Sequence, residues 1–271
     1  MNKLVLAEIP YLNCAPFYWN KDISVPGYDI EWKWAHPREL GELALRGLID
    51  AGPVSLLNIP RLDSQFELLP FGIAAKDEAR SVVLFSKRPL QELHEERIGL
   101  TPQSATSTQL LRAILTEVYR ISPIFETDFS EKDAARLLIG NQALFALLDP
   151  VTLKEYPFRL DMGRSWKEWK GSSFVFARWM MRRDLPGQVK ENLERWVSKN
   201  LELFDQTPQQ AIAAFQKSAG WKMEGAEDYL DCFNYRPAES DFQNSLAIRT
   251  DKFGNAPGDA VGGAALESAV D

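Results

Sequence analysis

Four short segments of this chain gather hydroxyl, amide and glycine groups where an apolar run gives way to a turn: "YLNCAP" (11–16), "GPVS" (52–55), "TPQSATS" (101–107) and "IGNQAL" (139–144). In "TPQSATS", Ser104, Thr106 and Ser107, with Ala105 among them, supply hydroxyls just where a helical pattern begins and the first backbone N–H groups lack partners. A carboxylate fits such a turn. So does the plainer reading in which one serine caps the helix; a cap needs one hydroxyl, and three in four residues leave both readings open. Arg80 and Ser81 offer a guanidinium fork and a hydroxyl to a second carboxylate. An arginine at a strand start reads equally well as a solvated surface residue.

Other reactive side chains are sparse. Cys14, Cys232, His36 and His94 stand far apart, none in ligand spacing, which argues against a structural zinc site. Cys14 is a nucleophile or a small buried side chain, and the lack of a nearby histidine favours the second. His36, just before Pro37 at a helix start, reads as structural, and His94, in "QELHEER", as solvent-facing. No G-x-S-x-G, P-loop, H-E-x-x-H or G-x-G-x-x-G is present, so any catalysis depends on positioning more than on a cofactor, and neither metal nor cofactor is expected.

The elements that must hold these groups alternate between short β-rich runs and longer helical patterns, the mark of an α/β fold. "KLVLAEI" and "YDIEWKWA" read as strands. "HPRELGELALRGLI" reads as a helix with Pro37 in its first turn, and "DAGPVS" as a short strand ending in a loop. "RSVVLFS" (80–86) is extended and apolar, "RIGLTPQSATSTQLLRAILTEVY" gives strand, loop and helix, "ARLLIGNQALFAL" strand and helix, and "SSFVFARWMMRR" (172–183) is again extended. Helices follow at 187–204, 208–217 and 224–233. Two long extended runs flanking an α/β block predict one lobe inserted into another: residues 1–86 plus 176–253, an inserted lobe at 87–175, and a flexible Gly/Ala-rich tail at 254–271. The ligand cleft then lies between the lobes, with the four polar turns at strand ends.

The 271 residues are 45% hydrophobic and 25% charged, with a net charge of -7, enough to bury a core and the wrong sign for nucleic acid or an anionic membrane surface. Trp166, Trp169, Phe174, Phe176 and Trp179 accordingly read as core and lobe packing rather than a base-stacking platform. No run approaches the ~18 apolar residues of a membrane span, and the N-terminus lacks the pattern of a secretory signal. The chain therefore reads as cytoplasmic, unless a cleaved signal has been removed, with a small molecule as partner and an oligomeric state that composition does not decide.

Taken in order and spacing, "YLNCAP", "LRGLIDAGPVS", "RSVVLFSKRPLQEL", "SATSTQLL", "LLIGNQAL", "WKEWKGSSFVFARW" and "YLDCFNYR" resemble the chorismate dehydratases of the futalosine route to menaquinone, over nearly the whole chain except the tail. The resemblance implies a two-lobed fold similar to type II periplasmic binding proteins, and dehydration of chorismate to 3-[(1-carboxyvinyl)oxy]benzoate without metal or redox cofactor. It implies that Asn13 orients the reacting ring region and that the Ser104–Ser107 turn grips one carboxylate. Ser55, Arg80 and Ser81 would serve the other end, Asn141 would join the substrate-binding set, and a carboxylate of the substrate would take the proton. Two positions depart from the family pattern: Asn141 stands where aspartate is usual, and Arg178 where a small or apolar residue is usual. A solute-binding protein without chemistry and the dihydroxynaphthoate-forming enzyme of the same route are the rival readings.

Overall fold

The apolar run Leu4–Ala7, with Leu4, Leu6 and Ala7 fully buried, makes Asn2–Glu8 a strand, β1, and the computed structural model, which describes residues 1–248, pairs it in parallel with β2 (Tyr28–Trp34) along its whole length. Between them the chain tightens into a 3-10 turn at Leu12–Cys14 and a single helical turn, α1 (Ala15–Tyr18). Next come α2 (Pro37–Leu45), with Pro37 and Glu39 in its first turn as helix starts favour, and β3 (Ala51–Ser55), buried throughout. The short α3 (Ile59–Leu62) leads into β4 (Phe66–Ala75), and β5 (Val82–Ser86) follows.

The middle of the chain runs β6 (Arg97–Leu100), α4 (Ala105–Glu117), β7 (Ile124–Glu126), β8 (Ala135–Ile139), α5 (Gly140–Leu148), α6 (Pro150–Glu155), β9 (Phe158–Asp161) and α7 (Met162–Lys170). The return consists of β10 (Phe174–Arg182), α8 (Gly187–Gln206), α9 (Pro208–Ala219), α10 (Ala226–Leu230), β11 (Phe233–Asn234) and α11 (Glu239–Leu246). The helix expected over 224–233 is thus one short turn and a two-residue strand. The tail from 254 lies outside the described residues.

These strands form two sheets, ordered β11-β4-β10-β3-β1-β2 and β7-β6-β8-β5-β9. The second sheet is drawn wholly from 82–161, between the parts of the chain that build the first, and the crossing points differ from those expected. Val82–Ser86, expected to close the first lobe, instead pairs antiparallel with β8 and β9 in the second sheet. Phe174 and Val175, expected in the inserted lobe, pair with Ala75 and Ala74 in the first. The chain therefore crosses at 76–81 and returns at 171–173. A wholly buried apolar strand carries no mark of which sheet it joins, because both its faces are covered in either one.

β4 was invisible in the sequence for a related reason. Pro70 and Gly72 interrupt its apolar run, and the ladder to β10 shifts register between Gly72 and Leu68, around the residue that has no N–H to donate. α8 is the opposite case: Val189, Leu193, Trp196, Val197, Asn200, Leu201 and Phe204 form one buried stripe at helical spacing. The aromatic set packs as expected. Trp166 meets Phe174 edge-on at 5.0 Å, Phe174 meets Phe176 at 4.8 Å, and Trp179 sits 5.6 Å from Phe17.

Candidate functional site

The four polar turns meet where the two sheets face each other. The Asn13 loop follows β1 and the Ser55 turn follows β3, both from the first lobe; the Ser104 turn precedes α4, and Gly140 opens α5, from the second. Between them is a cavity whose walls include Tyr11, Asn13, Cys14, Ser104, Ser107 and Phe176. Its volume is about 40 Å³, well below the ~300 Å³ or more of sites that enclose drug-sized ligands, so a ligand of that size enters only if the lobes move apart.

Each hydroxyl of the α4 turn has a different task. Ser104 Oγ accepts from Ser107 N at 3.0 Å and is the N-cap, and it also donates to Ser107 Oγ at 3.0 Å. Ser107 lines the cavity beside it. Thr106 turns away and bridges the lobes: its Oγ1 lies 2.5 Å from Ser55 Oγ and accepts from Leu57 N at 3.2 Å. The capping reading holds on Ser104, and Ser107 is the hydroxyl left at the cavity. Ala105 is the half-buried first residue of α4, and Ser55 meets Thr106 rather than the cavity.

Asn13 is buried against the cavity, its Oδ1 accepting from the Cys14 thiol at 3.4 Å. Burial, seconded by the negative charge of Glu8, pushes the Cys14 pKa well up, so Cys14 is a protonated donor rather than a nucleophile. Tyr11, two residues earlier, seats its ring on Gly140. That glycine has φ of 56°, and a Cβ there would lie 2.6 Å from the Tyr11 ring, so only glycine lets the lobes approach at this point. Tyr11, His36 and Gln103 carry no motif of their own in the sequence. Their link is a set of side-chain bonds between residues far apart in the chain, and no local pattern signals it.

Arg80 and Ser81 are not at the cavity. Arg80 lies on the crossing segment with φ of 53°, in a tight turn where Ser81 N donates to Ala79 O at 2.5 Å. Its guanidinium pairs with Glu78 at 2.5 Å on the surface, and holds that carboxyl below its usual range. Ser81 is fully buried, accepting from Tyr229 Oη at 2.7 Å and donating to Ala79 O at 3.2 Å. The turn is gripped from the second lobe by Asp161, which accepts from Ala79 N at 2.9 Å, Arg80 N at 2.6 Å and Arg164 N at 3.0 Å. Burial raises the Asp161 pKa, and these N–H bonds oppose the shift. The expected anion fork is part of the crossing between lobes, and its polar groups already have partners: Glu78 for the guanidinium, Tyr229 and Ala79 O for the hydroxyl, and Asp161 for the backbone N–H groups.

The two departures from the family pattern also find places. Asn141 spends its amide on the Asn13 loop: Oδ1 accepts from Leu12 N at 3.2 Å and Nδ2 donates to Pro10 O at 3.0 Å. It supports that loop across the cleft rather than lining the cavity. Arg178 lies on the other face of β10 from Ala177, which does line it. Its fork meets Glu239 at 2.8 and 3.2 Å, Nε donates to Leu69 O at 3.0 Å, and the guanidinium stacks 3.8 Å from the Phe242 ring centroid. Among the described residues, no three His, Cys, Asp or Glu side chains gather to hold a metal, and no helix is long and apolar enough to cross a membrane.

The model of a family described as menaquinone biosynthesis matches residues 4–247. The chain belongs to this family. A curated relative named chorismate dehydratase, from Thermus thermophilus, is 32% identical over 204 residues, covering 69% of this chain and 72% of that protein. Among solved structures, protein AF1704 from Archaeoglobus fulgidus superposes with a TM-score of 0.70 at 18% identity, over 92% of this chain and 97% of that one. A Candida albicans protein described as having the generic periplasmic binding protein fold gives 0.61 at 12% identity, over 91% and 89%. The alkanesulfonate-binding protein SsuA from Xanthomonas axonopodis pv. citri, bound to MOPS, gives 0.57 at 12% identity, over 91% and 90%. This member of the menaquinone biosynthesis family thus has the two-sheet periplasmic-binding-protein fold.

Proposed function

We propose that this member of the menaquinone biosynthesis family is a chorismate dehydratase, a carbon–oxygen lyase that converts chorismate to 3-[(1-carboxyvinyl)oxy]benzoate and water. The convergence of Asn13, Ser104 and Ser107 on one interlobe cavity carries the reading, and the name of the Thermus thermophilus relative supports it. Chorismate enters with the lobes apart. The Ser107 hydroxyl and the start of α4 take one of its carboxylates, where the helix dipole and unpaired N–H groups favour an anion. Closure strips water from the ring and brings up Asn13, whose amide donates to the departing hydroxyl.

The ring then loses a proton and hydroxide and becomes aromatic, which drives the reaction; the enzyme supplies geometry. Among the described residues no carboxylate or imidazole lines the cavity, and Cys14 is held protonated, so a carboxylate of chorismate itself is the group that takes the proton. A biosynthetic role on this substrate suits the cytoplasm.

Mixing the purified protein with chorismate tests the proposal: a new aromatic product, followed by absorbance and mass, is expected above the spontaneous background. Asn13→Ala is expected to lower turnover by about 100-fold, the scale of a lost transition-state donor. Full turnover by that variant would remove Asn13 from the chemistry. The fold it shares with SsuA favours a second reading, a binding protein for an anionic ligand, which saturable chorismate binding without product would support.

A further inference from the structure

His36 closes a ring of three hydrogen bonds that spans the cleft. Its Nδ1 lies 3.1 Å from Tyr11 Oη, its Nε2 lies 3.1 Å from Gln103 Nε2, and the Tyr11 hydroxyl donates to Gln103 Oε1 at 2.8 Å. Tyr11 sits on the loop that carries Asn13, Gln103 immediately precedes the Ser104 cap of α4, and His36 precedes α2. Every member donates once and accepts once: Gln103 N–H to His36 Nε2, His36 Nδ1–H to Tyr11 Oη, and Tyr11 O–H to Gln103 Oε1. Turning the Gln103 amide over reverses the direction and keeps all three bonds.

In either direction the imidazole uses one N–H and one lone pair, which is the neutral form. An imidazolium has two N–H groups and no lone pair, so Gln103 must turn its oxygen to Nε2–H and the Tyr11 oxygen must accept from both neighbours, which drives the O–H of this buried phenol out of the ring. We propose that Tyr11, His36 and Gln103 are positioning residues, whose ring of hydrogen bonds holds the Asn13 loop against the α4 turn while His36 is neutral; the kinetic consequence rests on the dehydratase reading. Two neighbouring contacts reinforce the same join. Arg38 N donates to Gln103 O at 3.1 Å, and Asn141 grips the Asn13 loop from α5.

Burial holds the His36 pKa below the ordinary 6.5, while Glu39 on the same helix start acts in the opposite direction. The groups facing the imidazole from the Asn13 loop and the α4 turn are a phenol, itself raised by burial, and a neutral amide; Arg38 stands next to it in sequence. A folded value below the unfolded one fixes the sign: the contribution is complete above pH 6.5 and is lost as pH falls from there through the folded value.

Gln103→Glu reverses the requirement. A carboxylate accepts from both His36 Nε2–H and Tyr11 O–H, so the ring is then satisfied by an imidazolium and broken by the neutral ring. Nitrogen-edited NMR titration of the full chain, with His94→Gln to assign the two histidines, is expected to show His36 titrating below 6.5 in the wild type and above it in Gln103→Glu. With chorismate, wild-type kcat is expected to fall about 2- to 10-fold as pH drops through the His36 titration, the scale of one hydrogen bond. Gln103→Glu should lose kcat in the other direction, as pH rises. Tyr11→Phe, which keeps the ring on Gly140 but breaks the cycle at every pH, should show the lower kcat without that dependence. Identical His36 titrations in wild type and Gln103→Glu, or the same acid limb of kcat in wild type and Tyr11→Phe, would overturn the proposal. If chorismate is not turned over at all, the dehydratase reading falls and the NMR titration still decides the ring.

Discussion

The turn at 101–107 and the crossing at 79–81 offer the same kinds of groups and end in opposite roles. Both place hydroxyls next to a strand end, and both looked able to take a carboxylate. In the α4 turn the cap consumes one hydroxyl, Ser104, and leaves Ser107 facing the cavity. At the crossing, the two backbone N–H groups of Ala79 and Arg80 go to Asp161, the Ser81 hydroxyl goes to Tyr229 and Ala79, and the Arg80 guanidinium goes to Glu78. The two turns differ in how many of their donors the protein has already used, and the proposed binding role falls to the one with a hydroxyl left at the cavity.

Three substitutions can break that contrast. Ser107→Ala removes a cavity hydroxyl without removing the cap, and is expected to lower kcat/KM for chorismate about 10- to 100-fold, as the loss of a hydrogen bond to a charged group does, with little change in thermal midpoint. A wild-type kcat/KM in that variant would make the α4 turn merely structural. Asp161→Ala frees the crossing and uncaps α7, and is expected to destabilise the protein by about 1–3 kcal/mol in denaturant melts while leaving KM in place. A large rise in KM there would mean that the hinge also senses the ligand. The smallest effect belongs to Arg80→Ala, since its ion pair is exposed: stability within about 0.5 kcal/mol of wild type and an unchanged KM. A tenfold KM increase would return Arg80 to the site.

Periodicity made β1, α2, α4 and α8 legible, and turn chemistry made the four polar loops legible as an address, including Asn13, Ser104 and Ser107. β4 was lost because a proline and a glycine mask a strand that bends around them. The sheet membership of β5 was lost because its five buried residues satisfy either sheet equally. Tyr11, His36 and Gln103 were lost because their bonds join residues 25 to 92 positions apart, and a single sequence carries no trace of such pairings. Arg178, which the sequence marks only as a departure from the family pattern, is carried by strand alternation to the far side of the sheet, where it holds α11.

The order of strands in the first sheet also governs how the chain can assemble. β10 lies between β3 and β4, so those two strands have no common neighbour until residue 182 has left the ribosome. The second sheet needs nothing beyond Asp161, and its strands all come from one continuous stretch. During synthesis the strands of the inserted lobe are therefore all available first, while β3 and β4 still lack the strand that joins them.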